Sequence, residues 1–188
     1  DRTFKVLVEA FGKLEPVTVG VGTGHEDRVQ ENRRMKLKDG RTIDVRHAYS
    51  LPPDTEVAEV GPIDPQIGVV RLDKRNGDAL AVLSQFACPP IMGSLSGGPG
   101  ANTADMTGVS SQVIEDNMDA GTIALFLQGC GGDINPISYT HIHDPTDADP
   151  LGNMLGVSTL KAVRKIRSSD DGPATARRSA RRHHRRID

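Results

Sequence analysis

Aromatic side chains are nearly absent from this chain: 3% of its 188 residues are aromatic, and none is Trp. A core must therefore be filled by Val, Leu, Ile, Ala and Met. Cysteine is as scarce. Cys88 and Cys130 are the only two, with no CxxC, which excludes a disulfide framework and fits a reducing compartment. No apolar run approaches the roughly 18 residues that a helical membrane span needs. The opening DRTFKVLVEAFG has no basic end leading into a long apolar stretch, so no signal peptide is read there. It also has no initiator Met, which fits a processed product or an interior piece, and a cytoplasmic or a secreted parent protein both stay open.

Gly and Pro, by contrast, are plentiful, at 20 and 12 residues, as in a strand-rich chain with many turns. The length suits one domain with an appendage. Charge is unevenly spread. The formal net charge is −2, but residues 168–188 hold six Arg and three Asp, leaving 17 basic against 22 acidic residues before them. An acidic body, 1–167, thus precedes a basic tail, 168–188, which has no apolar periodicity and reads as disordered.

Hydrophobic patterning predicts an α/β fold with mixed β-sheets flanked by helices. TFKVLVEAF (3–11) and EPVTVGVG (15–22) alternate well enough to be strands. Residues 23–66 are rich in Gly, Pro, Asp and charge and read as a long irregular connection, with one short strand at RTIDVR (41–46). QIGVVRLD (66–73) and DALAVLSQFAC (78–88) flank Asn76-Gly77, a hairpin signal. DMTGVSSQVIEDNM (105–118) reads as a helix with Asp105 as N-cap, and TIALFLQ (122–128) as a short apolar strand. Together these predict a βαβ unit over 79–128 with its two strands parallel. DPLGNMLGVSTLKAVRKI (149–166) reads as a helix with Asp149 at the N-cap and Pro150 at the first position.

In open α/β sheets, ligands gather beyond the carboxyl ends of the strands. The two parallel strands end at Cys88 and Gln128, so the loops 89–105 and 129–136 are expected to share one edge. They offer Asp105, Asp133, Asn102, Asn135, both cysteines and several glycines. Read blandly, they are ordinary strand-to-helix turns, and the cysteines are small buried hydrophobes with no activating base nearby in sequence. GVGTGHE (20–26) lacks the GxGxxG spacing of a dinucleotide loop. His141 and His143 would face one side of a strand and bind metal, or else sit solvated in a polar loop. The Arg/His tail at 177–186 is a candidate polyanion contact, without aromatics for base stacking.

Three blocks carry a resemblance. ENRRMKLKDGR (31–41), LSQFACPPIMG with NTADMTGVSS (83–111) and ALFLQGCGGDINP (124–136) resemble segments of the neutral/alkaline, non-lysosomal ceramidases, in the middle portion of their N-terminal catalytic domain. Asp105, Gly108 and Ser111 keep the family's G-D-N-x-G-x-A-S pattern. Gln128, Gly132, Asp133 and Pro136 keep its F-x-Q-x-x-x-G-D-x-S-P-N pattern. The resemblance covers about residues 17–166 and implies a fold incomplete relative to the family domain.

The family hydrolyses the amide of ceramide to sphingosine and a fatty acid, with a zinc ion held by two His, a Glu and a Tyr activating water. The zinc histidine of F-A-x-H-P falls on Pro89, and the serine of G-D-x-S-P falls on Asn135. The other histidine belongs to a T-H-T-H block upstream of Asp1, and the Glu and Tyr lie downstream of residue 166. The resemblance therefore implies a zinc-dependent amidohydrolase family with a lipid amide substrate. It also implies that this chain alone binds no zinc and is inactive. Asp105, Asp133 and Asn135 take the catalytic-site positions, and Asn32, Arg33 and Gly132 the substrate-binding ones. The alternatives are a non-catalytic binding or structural relative, and a polyanion binder acting through the tail.

Overall fold

The computed structural model describes residues 1–45, 51–93, 102–140 and 147–169. The expectations for His141, His143 and the basic tail beyond Ser169 lie outside the described residues. The architecture is α/β, with mixed sheets and flanking helices, as the patterning predicts. Helix α1 is Arg2–Gly12, followed by strands β1 (Val17–His25), β2 (Gln30–Asn32), β3 (Arg34–Leu37), β4 (Thr42–Asp44), β5 (Val57–Val60), β6 (Gln66–Lys74) and β7 (Ala79–Phe86). Then come α2 (Asp105–Asp116), β8 (Ile123–Gln128), β9 (Ile134–Pro136) and α3 (Asp149–Val163), with one-turn 3-10 helices at Asp54–Glu56 and Ile137–Thr140.

The main sheet has the order β1-β6-β7-β8. β1, β6 and β7 run antiparallel, and β8 lies parallel to β7 with Ala81 opposite Ile123 and Phe86 opposite Gln128. The Asn76-Gly77 turn closes the β6–β7 hairpin, with Gly77 at φ 93° and the Lys74 N–H donating to the Asp78 carbonyl at 2.8 Å. β7, α2 and β8 form the expected βαβ unit. Two smaller sheets, β2-β9 and β4-β3-β5, stand beside it.

Helices α2 and α3 cover one face of the main sheet. Between them and the strands lie Ile67, Val69, Val82, Phe86, Met106, Ile114, Leu155 and Val163, all buried. Burying each such side chain contributes about 1.5–3 kcal/mol, so this layer holds the fold. The glycine-rich run 20–24 is what lets the end of α3 and the segment after it approach. A Cβ on Gly22 would stand 2.7 Å from Ile166 Cγ1, and one on Gly24 3.2 Å from Ala162 Cβ. The run is a strand whose glycines face a helix, not a nucleotide loop. Past Arg167 the chain stays on this edge: the Ser169 N–H donates to the Val19 carbonyl at 3.3 Å, and the Ser168 hydroxyl to Asp73 at 2.5 Å.

Four local expectations are corrected. Residues 3–11 form α1, not a strand. Phe4, Leu7, Val8 and Phe11 recur at helical spacing, and Asp1 caps the first turn by accepting from the Thr3 N–H at 3.0 Å. The stretch 23–66 is not one irregular connection, because it carries β2, β3 and β5 besides the strand expected at 41–46, which forms over Thr42–Asp44 as β4. In β3 the buried Met35 and Leu37 alternate with exposed Arg34 and Lys36, so the charge density hid a strand. Asp105 and Asp149 are not the N-caps: Ala104 and Ala148 hold those positions without side-chain bonds, and Pro150 follows at the start of α3.

Candidate functional site

The expected edge exists. β7 and β8 end side by side, and the Gly129 N–H donates to the Phe86 carbonyl at 2.9 Å. A Cβ on Gly131 would stand 3.1 Å from Pro89 Cδ and 3.3 Å from the Ala87 carbonyl, so the 129–133 turn lies directly on the Cys-Pro-Pro segment. Pairing ends at Phe86, as prolines that donate no N–H require.

A second cluster meets this turn from far away in sequence. β2 pairs with β9, setting Glu31 opposite Asn135 and Asn32 opposite Ile134. The buried Asn32 amide donates to the Pro62 carbonyl at 2.7 Å and to Asp133 Oδ2 at 3.2 Å, and its oxygen accepts from the Arg34 N–H at 2.8 Å. Both amide hydrogens and the oxygen are thus engaged. The Arg33 guanidinium donates to the Gly132 carbonyl at 2.5 Å and stands 3.3 Å from Asp44. The Arg33 N–H donates to the Asp133 carbonyl at 2.9 Å. Asn135 is buried, with its amide on the Val45 carbonyl at 3.3 Å. Arg34 lies 3.9 Å from the half-exposed Asp133 carboxylate. Five of the six sequence-predicted residues, Asn32, Arg33, Gly132, Asp133 and Asn135, therefore gather around one turn.

Asp105 is held separately. It is buried and takes φ 55°, the only positive φ at a non-Gly position among the described residues. Its carboxylate accepts from the Gly93 N–H and from the Met106 N–H, both at 2.6 Å. It ties the segment after Pro90 to the start of α2, which accounts for its strained backbone better than capping does.

Cys88 lies between the two groups. Burial, then the negative charges of Asp105 and Glu31, push its thiol well above the ordinary range. A thiol so placed stays protonated and is no nucleophile. Cys130 is exposed, and both cysteines are free. In the native protein an aromatic disulfide reagent is expected to titrate one thiol rapidly, that of Cys130, and two after denaturation. Two fast thiols would contradict the burial of Cys88. Sequence reasoning missed Glu31 as a member of this edge, because only the β2–β9 pairing brings it there.

The described residues do not by themselves form a zinc site. Among the described residues no group of three or more His, Cys, Asp or Glu side chains is placed to hold a metal ion, and the proline ring at 89 has no lone pair to offer one. Among the described residues, too, no helix is long and apolar enough to cross a membrane.

No protein-family model matches the sequence, and comparison with curated proteins finds no match. Solved structures do match. The neutral ceramidase from Pseudomonas aeruginosa superposes with a TM-score of 0.60 at 18% identity, over 86% of this chain and 25% of that one. A ceramidase complexed with C2 gives a TM-score of 0.60 at 19% identity, over 84% of this chain and 24% of that one. The chain spans about a quarter of the length of these structures. What it shares with them is a fold, the α/β arrangement of part of these structures.

Proposed function

We propose that this chain is a relative of the ceramidase-type amide hydrolases, equivalent to the middle portion of their N-terminal catalytic domain, and that it does not hydrolyse ceramide by itself. The observation that carries this reading is Pro89. It stands at the shared edge of β7 and β8, against Gly131, at the position the resemblance gives to a zinc histidine. The neighbouring polar groups support a scaffolding role. Asn32 places both amide hydrogens on Pro62 and Asp133, Arg33 one guanidinium N–H on Gly132, and Asn135 its amide on Val45. Asp133 keeps an open side toward solvent, and Asp105 fixes the approach of the 93 segment, so these two carboxylates shape the edge where a lipid amide would lie.

The test is a ceramide hydrolysis assay of the 188-residue chain with zinc added, together with metal analysis. No turnover above background and no stoichiometric zinc are expected. Zinc-dependent turnover by this chain would overturn the reading. In a longer form supplying the remaining ligands, Pro89→His separates two cases. A hydrolase weakened at one ligand gains zinc and activity, whereas a non-catalytic relative gains neither.

A further inference from the structure

Among the described residues, α2 and α3 cover only one face of the main sheet. The other face is apolar and open. Val21, Val70, Leu83 and Leu125 are register partners in one row across all four strands. Val21 is 74% exposed and Leu125 50%, with Ile123 and Leu127 similarly open beside Leu125. Soluble monomers rarely leave so continuous an apolar surface in water.

The chain carries a second surface of the same kind. Helix α1 has no buried residue. Its stripe of Phe4, Leu7, Val8 and Phe11 is open, Phe11 being 76% exposed, while Lys5, Glu9 and Lys13 line the opposite side. Lys13 and Glu9 pair at 2.6 Å there, leaving the stripe as the face without a complement. The sizes agree. An 11-residue helix is about 16 Å long, and four strands span about 14 Å between the outer two.

We propose that α1 of one copy docks on the open sheet face of a second copy, and reciprocally, giving a two-fold dimer by helix exchange. Two features favour a second copy over closure on the same chain. The connection from Gly12 to Val17 is only residues 13–16, and Pro16 biases Glu15 toward extended backbone, so the linker gives α1 little freedom to fold back, and none of its residues is buried against its own chain. Short, stiff hinges of this sort promote exchange. The area is also sufficient. At about 200 Å² for a Phe and less for aliphatics, the helix stripe and the sheet face each expose on the order of 500 Å². Reciprocal docking then buries up to roughly 2,000 Å², within the range of stable dimers.

Light scattering after size exclusion of the whole chain should give twice its 20.2 kDa mass at about 50 μM. Phe11→Asp and Leu125→Lys, each checked by circular dichroism, should each weaken the dimer at least roughly tenfold. A covalent readout does not depend on those substitutions folding. Leu7→Cys with Leu125→Cys, in a Cys130→Ser background, should on oxidation give a cross-link between two chains. A cross-link within one chain would show closure in cis and overturn the proposal. So would a monomer with no cross-link, or a dimer that both charged substitutions leave intact.

Discussion

Gly152→Leu is expected to lower the stability of this protein by about 3 kcal/mol or more. Gly152 and Gly156 lie on α3 where it meets α2. A Cβ on Gly152 would stand 2.5 Å from Val109 Cβ and 2.7 Å from the Met106 carbonyl, and one on Gly156 2.7 Å from Val113 Cβ. The obstacle is backbone and β-branched side chain, neither of which can swing aside. Any side chain must push the helices apart, and with them the buried layer of Met106, Ile114 and Leu155. Even Gly152→Ala should destabilise, by about 1–3 kcal/mol, although alanine in a helix gains about 1 kcal/mol over glycine. Gly132→Ala is the control: nothing lies within 4 Å of its Cβ position, so the change should stay within about 0.5 kcal/mol. Denaturant midpoints at constant slope measure all three. Equal midpoints for Gly152→Leu and Gly132→Ala would mean that the helices do not touch as described.

The second large effect is an acid-dependent loss of stability centred on Glu26. This carboxylate is buried just after β1. Burial alone would raise its pKa. The Arg28 guanidinium at 2.7 and 2.9 Å, the Ser158 hydroxyl at 2.7 Å and the Arg28 N–H at 2.9 Å outweigh that and hold it at about 2. The folded pKa thus lies below the unfolded value of 4.5. The contribution is complete above pH 4.5 and is lost as the pH falls toward 2. The Arg28 side chain is 63% exposed, so solvent screening leaves this shift worth about 1–2 kcal/mol. Glu26→Gln should therefore cost most near neutrality, with the gap to the natural protein closing as the pH falls to 2. Parallel stability curves for the two proteins across that range would refute the assignment. Ser158 belongs to α3, so this bond fixes the helix to the end of β1 while the glycines of β1 set how closely it lies.

Local chemistry made much of this fold legible. Asn76-Gly77 announced its hairpin, because only residues that tolerate positive φ close so tight a turn. The helical period at Met106, Val109 and Val113, followed by a short apolar run, announced the βαβ unit. The prolines at 89 and 90 marked where pairing stops. Helix α1 was not legible, since Phe4, Val6 and Val8 alternate as in a strand while Phe4, Leu7, Val8 and Phe11 also fit one helical face. Nor was the cluster around Asp133, because Asn32 lies 101 residues away and joins it only through β2 and β9.

The sequence by itself therefore determined the order of most elements and, to within two residues, the end of β7 at Phe86, both of which follow from the bonding capacity of residues close together in the chain. Tertiary structure alone decided three things. The glycines at 20, 22 and 24 serve close packing, because α3 reaches Gly24 and the segment 166–168 that follows it lies across Gly20 and Gly22. The polar residues of the candidate site tie the 129–133 turn to β2 and its flank, because their partners come from distant loops. One broad face of the sheet stays open, because α2 and α3 are both placed on the other. Which surfaces meet is set by packing between remote segments, and no local pattern encodes it.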